Sequence, residues 1–255
     1  METIKIATWN TQGNAFAEGK INHLISTYDP DIICLQECGN LLSRSDMFPR
    51  FIAKSQINPG TYKSGSFRGD EFNVFYYPWN GACRCSMAIM VKTKFNISNY
   101  SLVSFFGQRE KTSYNDNFSE TSASHEEEDY VKARMGIRSM LRVNIEYMND
   151  EISINNVHLP SGSPSFARKV GYTFIDDCFR RFPRNIIIVG DMNTPPELWR
   201  HPYSLRVSAP NDRTHSGGNT LDYMITNMHK LNVKVDDEFN SSDHLAVFYK
   251  LQLTC

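Results

Sequence analysis

The sequence predicts one large domain of mixed α and β structure, and three observations carry that prediction. The chain has 255 residues, of which 40% are apolar, enough to bury one substantial core and better suited to one large α/β or α+β domain than to two small ones. Several short runs rich in Ile, Val and Leu end on polar residues at turns, as buried strands do. The first two such runs flank a segment with helical spacing, a β-α-β arrangement. A single catalytic-size domain over residues 1–255 is therefore expected, with a polar insertion at 107–130.

In chain order, Ile4-Lys5-Ile6-Ala7-Thr8 reads as a first strand with Trp9-Asn10 at its end. Ile21, Leu24 and Ile25 predict a helix over residues 18–27, closed by Asp29-Pro30 because the residue before proline disfavours the α conformation. The next strand, 31–36, runs into Glu37, which is either a solvated strand end or a metal ligand. Residues 71–77 and 86–91 read as paired strands, with Glu71 opening the first and Arg84 in their connection. The run Glu126-Glu127-Glu128-Asp129 reads as part of a solvated loop, since consecutive acids on an extended chain point apart. Arg134, Arg138 and Arg142 lead into a strand pair whose second member, 152–158, ends on His158 before the turn Pro160-Ser161-Gly162. Phe166, Val170, Phe174, Cys178 and Phe182 recur every four residues and predict an amphipathic helix over 163–182.

That helix feeds the segment around which the chain is organised, IIIVGDMNTPP at 186–196. Four β-branched residues and a glycine are followed by Asp191 and Asn193, which share one side of the strand end and are able to face one ligand. Such a pair suits Mg²⁺ and phosphate, although a turn in which both satisfy their own backbone has the same sequence. Downstream, Asp222 is an acid inside the apolar strand 221–225, and a buried acid needs a partner. Asp243-His244 opens the closing strand 245–253, either as a capped turn or as an acid/base pair.

The net charge of −1 gives no global attraction to nucleic acid, so a phosphate-binding surface has to be a local basic patch. The cysteines at 34, 38, 83, 85, 178 and 255 form no CxxC pair, which argues against zinc and for small core residues. Cys255 is the exception, an end residue able to pair with another chain under oxidising conditions or to remain an idle thiol. No apolar run approaches the roughly 20 residues of a membrane span. The N-terminus alternates like a strand rather than showing a charged and then an apolar region, so it is not read as a signal peptide. As given, the chain is expected to act inside the cell that makes it, unless a leader was removed and replaced by Met1.

Asn10, Glu37, His158, Asp191, Asn193, Asp222, Asp243 and His244 thus stand at strand ends with no cysteine among them. That set fits phosphoester cleavage with a hard cation, Mg²⁺ first and Mn²⁺ or Ca²⁺ as alternatives. In this order Thr8-Trp9-Asn10, Leu35-Gln36-Glu37, Val157-His158-Leu159, Gly190-Asp191-Met192-Asn193, Leu221-Asp222-Tyr223 and Ser242-Asp243-His244 resemble the metal-dependent endonuclease/exonuclease/phosphatase superfamily over residues 4–250. Within it the chain is most similar to the cytolethal distending toxin B subunits. That likeness rests on residues 9–13 and 36–39, on Gly81-Ala82-Cys83-Arg84 before Met87-Ala88-Ile89, on Ser161-Gly162 and Gly217-Gly218, and on the C-terminal cysteine. The chain departs from that subgroup in its lack of a secretion signal and in the length of the 107–130 insertion.

The resemblance implies an α+β fold, the four-layered α/β/β/α sandwich of deoxyribonuclease I, with two mostly antiparallel sheets face to face. By motif position, Glu37 would ligate Mg²⁺ with Asp243 or Asn10 nearby, and Asp191 would orient or activate the attacking water. Asn193 and His158 would hold the phosphate, Asp222 would fix and charge His244, and Arg138 would bind the scissile phosphate. Arg84 is expected on a neighbouring phosphate, and Glu71 is expected to orient the first histidine. The function implied is a DNA endonuclease acting as a genotoxin, secreted with delivery subunits and working in the target-cell nucleus. The alternative on the same site is a phosphoinositide or other phosphomonoester phosphatase. Arg68, Arg84, Arg138, Arg142 and Arg168 are the candidates to line a DNA groove. A non-enzymatic binding subunit would have lost a metal or imidazole residue, and none is missing.

Overall fold

The computed structural model describes residues 2–13, 17–39, 52–57, 62–67, 71–77, 86–104, 139–147, 150–162, 164–181, 184–200, 204–238 and 242–253. Arg68, Arg84, Arg134, Arg138, Cys83, Cys85, Cys255 and the 107–130 insertion lie outside the described residues.

The first two strands, β1 (Thr3–Asn10) and β2 (Ile32–Gln36), are parallel and joined by α1 (Ala17–Tyr28), the β-α-β unit expected. Then follow β3 (Ile52–Ile57), β4 (Tyr62–Phe67), β5 (Phe72–Tyr77), β6 (Met87–Lys92), β7 (Asn96–Ser104), β8 (Ser139–Tyr147) and β9 (Asp150–His158). Helix α2 (Pro164–Arg181) leads to β10 (Ile186–Asp191), and β11 (Arg206–Ser208), β12 (Asp222–Thr226), β13 (His229–Asp236) and β14 (Ala246–Gln252) complete the order. Among the described residues they form an 8-stranded sheet, β13-β14-β1-β2-β6-β5-β4-β3, and a 6-stranded sheet, β11-β12-β10-β9-β8-β7. All pairings are antiparallel except β1 with β2 and β9 with β10.

The period of two along each strand sorts side chains into layers. Ile4 and Ile6 of β1, Ile32 and Cys34 of β2, Ile154 of β9, Ile187 and Val189 of β10, and Val247 and Tyr249 of β14 all point into one cluster between the sheets. Their neighbours of opposite parity face outward. Trp9, Ile33 and Leu35 meet Ile21, Leu24 and Ile25 of α1, and Ile186, Ile188 and Tyr223 meet Val170, Phe174 and Cys178 of α2. The result is helix, sheet, sheet, helix: the four-layered α+β sandwich of the deoxyribonuclease I-like fold. Each buried aliphatic side chain contributes about 1.5–3 kcal/mol, so strands with apolar residues of both parities are held from both faces.

Two ion pairs staple the helices to the sheets. Lys20 of α1 and Asp236 of β13 lie fully buried with Nζ and Oδ2 2.5 Å apart. Arg142 corrects an expectation: it points from β8 toward α2, only 3% exposed, and donates to Asp177 Oδ2 at 2.6 Å and Asn155 Oδ1 at 2.7 Å. A guanidinium committed under a helix is unable to line a DNA groove. Cys34, Cys38 and Cys178 are free and buried, and burial pushes their thiols up, that of Cys178 to about 11, as inert core residues require. Among the described residues no helix is long and apolar enough to cross a membrane.

Candidate active site

The inward rows turn polar together at one end of the sandwich. Beyond Ile6 the row of β1 continues with Thr8 and Asn10; beyond Cys34 comes Gln36, beyond Ile154 come Asn156 and His158, and beyond Val189 comes Asp191. The ladders align them, with Asn10 opposite Gln36 and Asp191 flanked by His158 on one side and Asp222 on the other. The site is thus assembled by strand parity and register, on rigid elements.

A buried polar layer lies beneath it. Gln36 Nε2 donates across the gap to Asn156 Oδ1 at 2.6 Å and to Thr8 Oγ1 at 3.1 Å, while Asn156 Nδ2 donates back to the carbonyls of Leu35 and Ala88 at 2.8 and 2.9 Å. These bonds tie the two sheets together just below Glu37 and His158. Gly190 leaves room for this layer: its φ is +143°, and a Cβ there would lie 2.0 Å from Val157 O of the adjacent strand β9 and 3.1 Å from Gln36 Nε2 across the gap.

Asp191 is the hub. Its Oδ2 accepts from Asn10 Nδ2 at 3.0 Å and lies 3.6 Å from His158 Nε2 and 3.8 Å from His244 Nε2. Its Oδ1 accepts the Asn193 amide at 2.9 Å, the Asx turn foreseen for this segment. Asn193 sits at φ 45° and spends one carboxamide hydrogen on Leu159 O at 2.8 Å, its second N–H having no partner among the described residues. The turn is anchored below by Tyr223, whose hydroxyl donates to Thr194 O at 2.6 Å. Asn10 turns its amide nitrogen, not its oxygen, toward the acids, since Nδ2 also reaches Glu37 Oε1 at 3.3 Å and Oδ1 accepts the Gln12 amide. It bridges two carboxylates rather than presenting a ligand oxygen.

His244 Nδ1 lies 2.7 Å from Asp222 Oδ2, which also accepts from Thr214 Oγ1 at 2.8 Å. Burial alone would lower the imidazole, but the Asp222 hydrogen bond and the charges of Asp222, Asp191 and Asp243 outweigh it and raise His244 to about 9. Burial drives the Asp191 carboxyl the other way from a normal acid, up to about 7, with the Asp222 charge adding to the rise and His244 and Asn10 opposing it.

Glu37, at φ 51°, meets His158 Nε2 at 3.6 Å. Asp243 stands on the other flank, its backbone N–H reaching Gln12 Oε1 at 3.4 Å and its Oδ1 lying 3.8 Å from His244 Nε2. Asp243 and His215 border an open cavity of about 570 Å³ that also touches Arg213 and Asp237. Glu71 does not join the group. It precedes the Phe72 end of β5, paired with Lys92 of β6, whereas the site lies at the Met87 end, opposite Gln36. That is roughly 16 Å away along the strands, out of reach of His158.

The residues present suit a hard cation. Among the described residues Asp243 Oδ1 and Asp222 Oδ1 are buried without hydrogen-bond partners, a costly state that a cation or its water relieves. His215, Asp243 and His244, and separately Asp191, Asp222 and His244, each offer ligand atoms within 4.8 Å of one another. Thr214 and His215 were not singled out from sequence, because their partners lie in other segments of the chain.

The Endonuclease/Exonuclease/phosphatase family model matches residues 7–244. The chain belongs to that family. As an Endonuclease/Exonuclease/phosphatase protein it is a hydrolytic phosphoesterase of a metal-dependent class, in keeping with its acidic and imidazole donors. Three solved structures show the family fold at low identity. Cytolethal distending toxin from Actinobacillus actinomycetemcomitans is 20% identical with a TM-score of 0.64, covering 96% of this chain and 97% of that one. TDP2 from Caenorhabditis elegans is 15% identical with a TM-score of 0.62, covering 98% and 74%. The human Nocturnin catalytic domain, with bound sulfate, is 15% identical with a TM-score of 0.62, covering 99% and 94%. No curated protein sequence matches the chain.

Proposed function

We propose that the chain is a Mg²⁺-dependent phosphodiesterase that nicks DNA, a genotoxin of the cytolethal distending toxin B type served by separate delivery subunits. The observation that carries the reaction class is the meeting of two imidazoles on Asp191 Oδ2, at 3.6 and 3.8 Å, with Asn10 joining Asp191 to Glu37. The choice of DNA rests on the toxin-like motifs, Arg84 among them, and on the similarity of fold to the toxin.

Glu37 and Asp243 would hold Mg²⁺, which when bound supplies positive charge to the phosphate and the leaving oxygen. Asn10 keeps Glu37 and Asp191 in register. Asp191, raised to about 7, orients the attacking water and takes its proton at neutral pH. His244, raised to about 9 and held by Asp222, enters the reaction charged, countering negative charge on the phosphoryl group and giving its proton to the leaving oxygen as the P–O bond to it breaks. His158 and the spare N–H of Asn193 hold the phosphate oxygens, and Arg138 is assigned to the same phosphate.

The test is a side-by-side assay of supercoiled plasmid and a soluble phosphoinositide, with Mg²⁺ or EDTA and with wild type or Arg84→Ala. Nicking that needs Mg²⁺ and a log–log salt slope about one unit shallower in Arg84→Ala are expected. Fast phosphate release with no nicking at low salt would replace this reading with a phosphomonoesterase.

A further inference from the structure

Resting on the metal reading above, we infer that His215 is a positioning residue for Asp243, fixing which carboxylate oxygen faces the cation. His215 belongs to none of the six motifs. It lies in the loop between β11 and β12, yet that loop is stitched to the Asp243 segment on both sides, by Ser216 N to Asp243 O at 2.8 Å and Leu245 N to Thr214 O at 2.7 Å. The imidazole stands edge-on to His244, centroids 4.7 Å apart, and its Nε2 lies 3.5 Å from Asp243 Oδ2.

The tautomer decides the role. His215 Nδ1 accepts the Gly217 backbone N–H at 2.9 Å, so the lone pair of a neutral ring is on Nδ1 and the proton is on Nε2. A ring so protonated turns Nε2–H toward Asp243 Oδ2, 3.5 Å away as a polar contact just beyond a formed hydrogen bond, and does not offer Nε2 to a metal. That excludes direct ligation through the His215, Asp243 and His244 cluster. With Oδ2 facing the imidazole, the other oxygen, Oδ1, is the buried atom without a hydrogen-bond partner among the described residues, the one left for the cation. Ligating carboxylates are held by such outer partners, whose loss typically costs about 10–100-fold in metal affinity. Gly217 is part of the device, since a Cβ there would press on His215 Nδ1 at 2.9 Å.

The test measures Mn²⁺ binding to the metal-stripped full chain, by the electron paramagnetic resonance signal of free Mn²⁺, with folding followed by circular dichroism. His215→Ala is expected to bind Mn²⁺ at least about tenfold more weakly. His215→Gln, which keeps an N–H donor at a similar reach, should recover most of the affinity. Gly217→Ala retains the imidazole but disturbs its tautomer bond, so it should weaken binding in the same direction and serves if His215→Ala does not fold. Wild-type affinity in His215→Ala, or equal losses in the Ala and Gln variants, would overturn the inference while leaving the metal reading intact. A wild type that binds no Mn²⁺ would overturn both.

Discussion

His244 and Asp222 form a buried pair, Nδ1 to Oδ2 at 2.7 Å, with the far nitrogen of the ring turned to Asp191 and Asp243. The pair acts as one unit. Asp222→Asn and His244→Ala should each lower turnover by on the order of 10²–10⁴-fold, and the double variant should be little worse than either. Fully additive losses in kcat would show that the two act separately.

Stability without metal should fall as pH rises. Asp191 and His244 both titrate above their unfolded values in the folded protein, at about 7 and about 9, so the native state holds protons that the unfolded chain has released. The Asp191 contribution is complete in acid and disappears as pH rises through about 7. The His244 contribution is complete below its unfolded value near 6.5 and disappears as pH rises through about 9. Melting curves in EDTA should therefore show wild type losing stability from about pH 4 to about 9, the Asp191 part below about 7 and the His244 part between about 6.5 and 9, and Asp222→Asn losing less over the upper part of that range.

Asp191→Asn follows from the same burial. Removing a carboxylate whose charge burial opposes should offset the loss of one of its two acceptor bonds, to Asn10 or to the Asn193 N–H, so the metal-free protein should melt close to wild type at pH 7 while turnover collapses. A large drop in melting temperature would mean that the charge of Asp191 supports the fold.

Asn10→Asp would place a third carboxylate between Glu37 and Asp191 and delete both bridging donors. The variant should melt lower than wild type in EDTA and regain more stability than wild type on adding Mg²⁺. Equal Mg²⁺ stabilisation of the two would show that the cation binds away from Asn10.

Gly190→Ala should destabilise the fold through backbone strain and the clash with Val157 O, by about 1–3 kcal/mol or more in urea denaturation. A neutral effect would mean that β9 and β10 separate more easily than their ladder implies.

Much of this site was legible because a buried run that ends on a polar residue is visible in one dimension. Asn10, Glu37, His158 and Asp191 all follow such runs, and the four-residue spacing of Val170, Phe174 and Cys178 marked the face of α2. What sequence does not display is which end of a strand faces which neighbour. Glu71 opens its strand at the end away from Gln36 because β5 runs antiparallel to β6. Arg142 has the outward parity, and only the chain's return as α2 reveals that Asp177 covers it. Thr214 and His215 acquire their roles from segments 8 and about thirty residues away, through a loop with no periodicity of its own. Strands such as β13, mostly exposed, carry too few apolar residues to register as alternation.

The assembly of the site by strand parity makes it far more sensitive to chain length than to chain composition. Any aliphatic residue of suitable volume in the inner row of β10 keeps Asp191 aimed between the sheets. Deleting one residue between Ile186 and Gly190 would exchange two apolar rows that are both buried, and would instead turn the carboxylate toward α2. Drift among relatives is therefore expected to spare the lengths of β1, β2, β9 and β10 while loops change freely, and a library that shuffles loop lengths should keep active clones where one that inserts single residues into these strands should not.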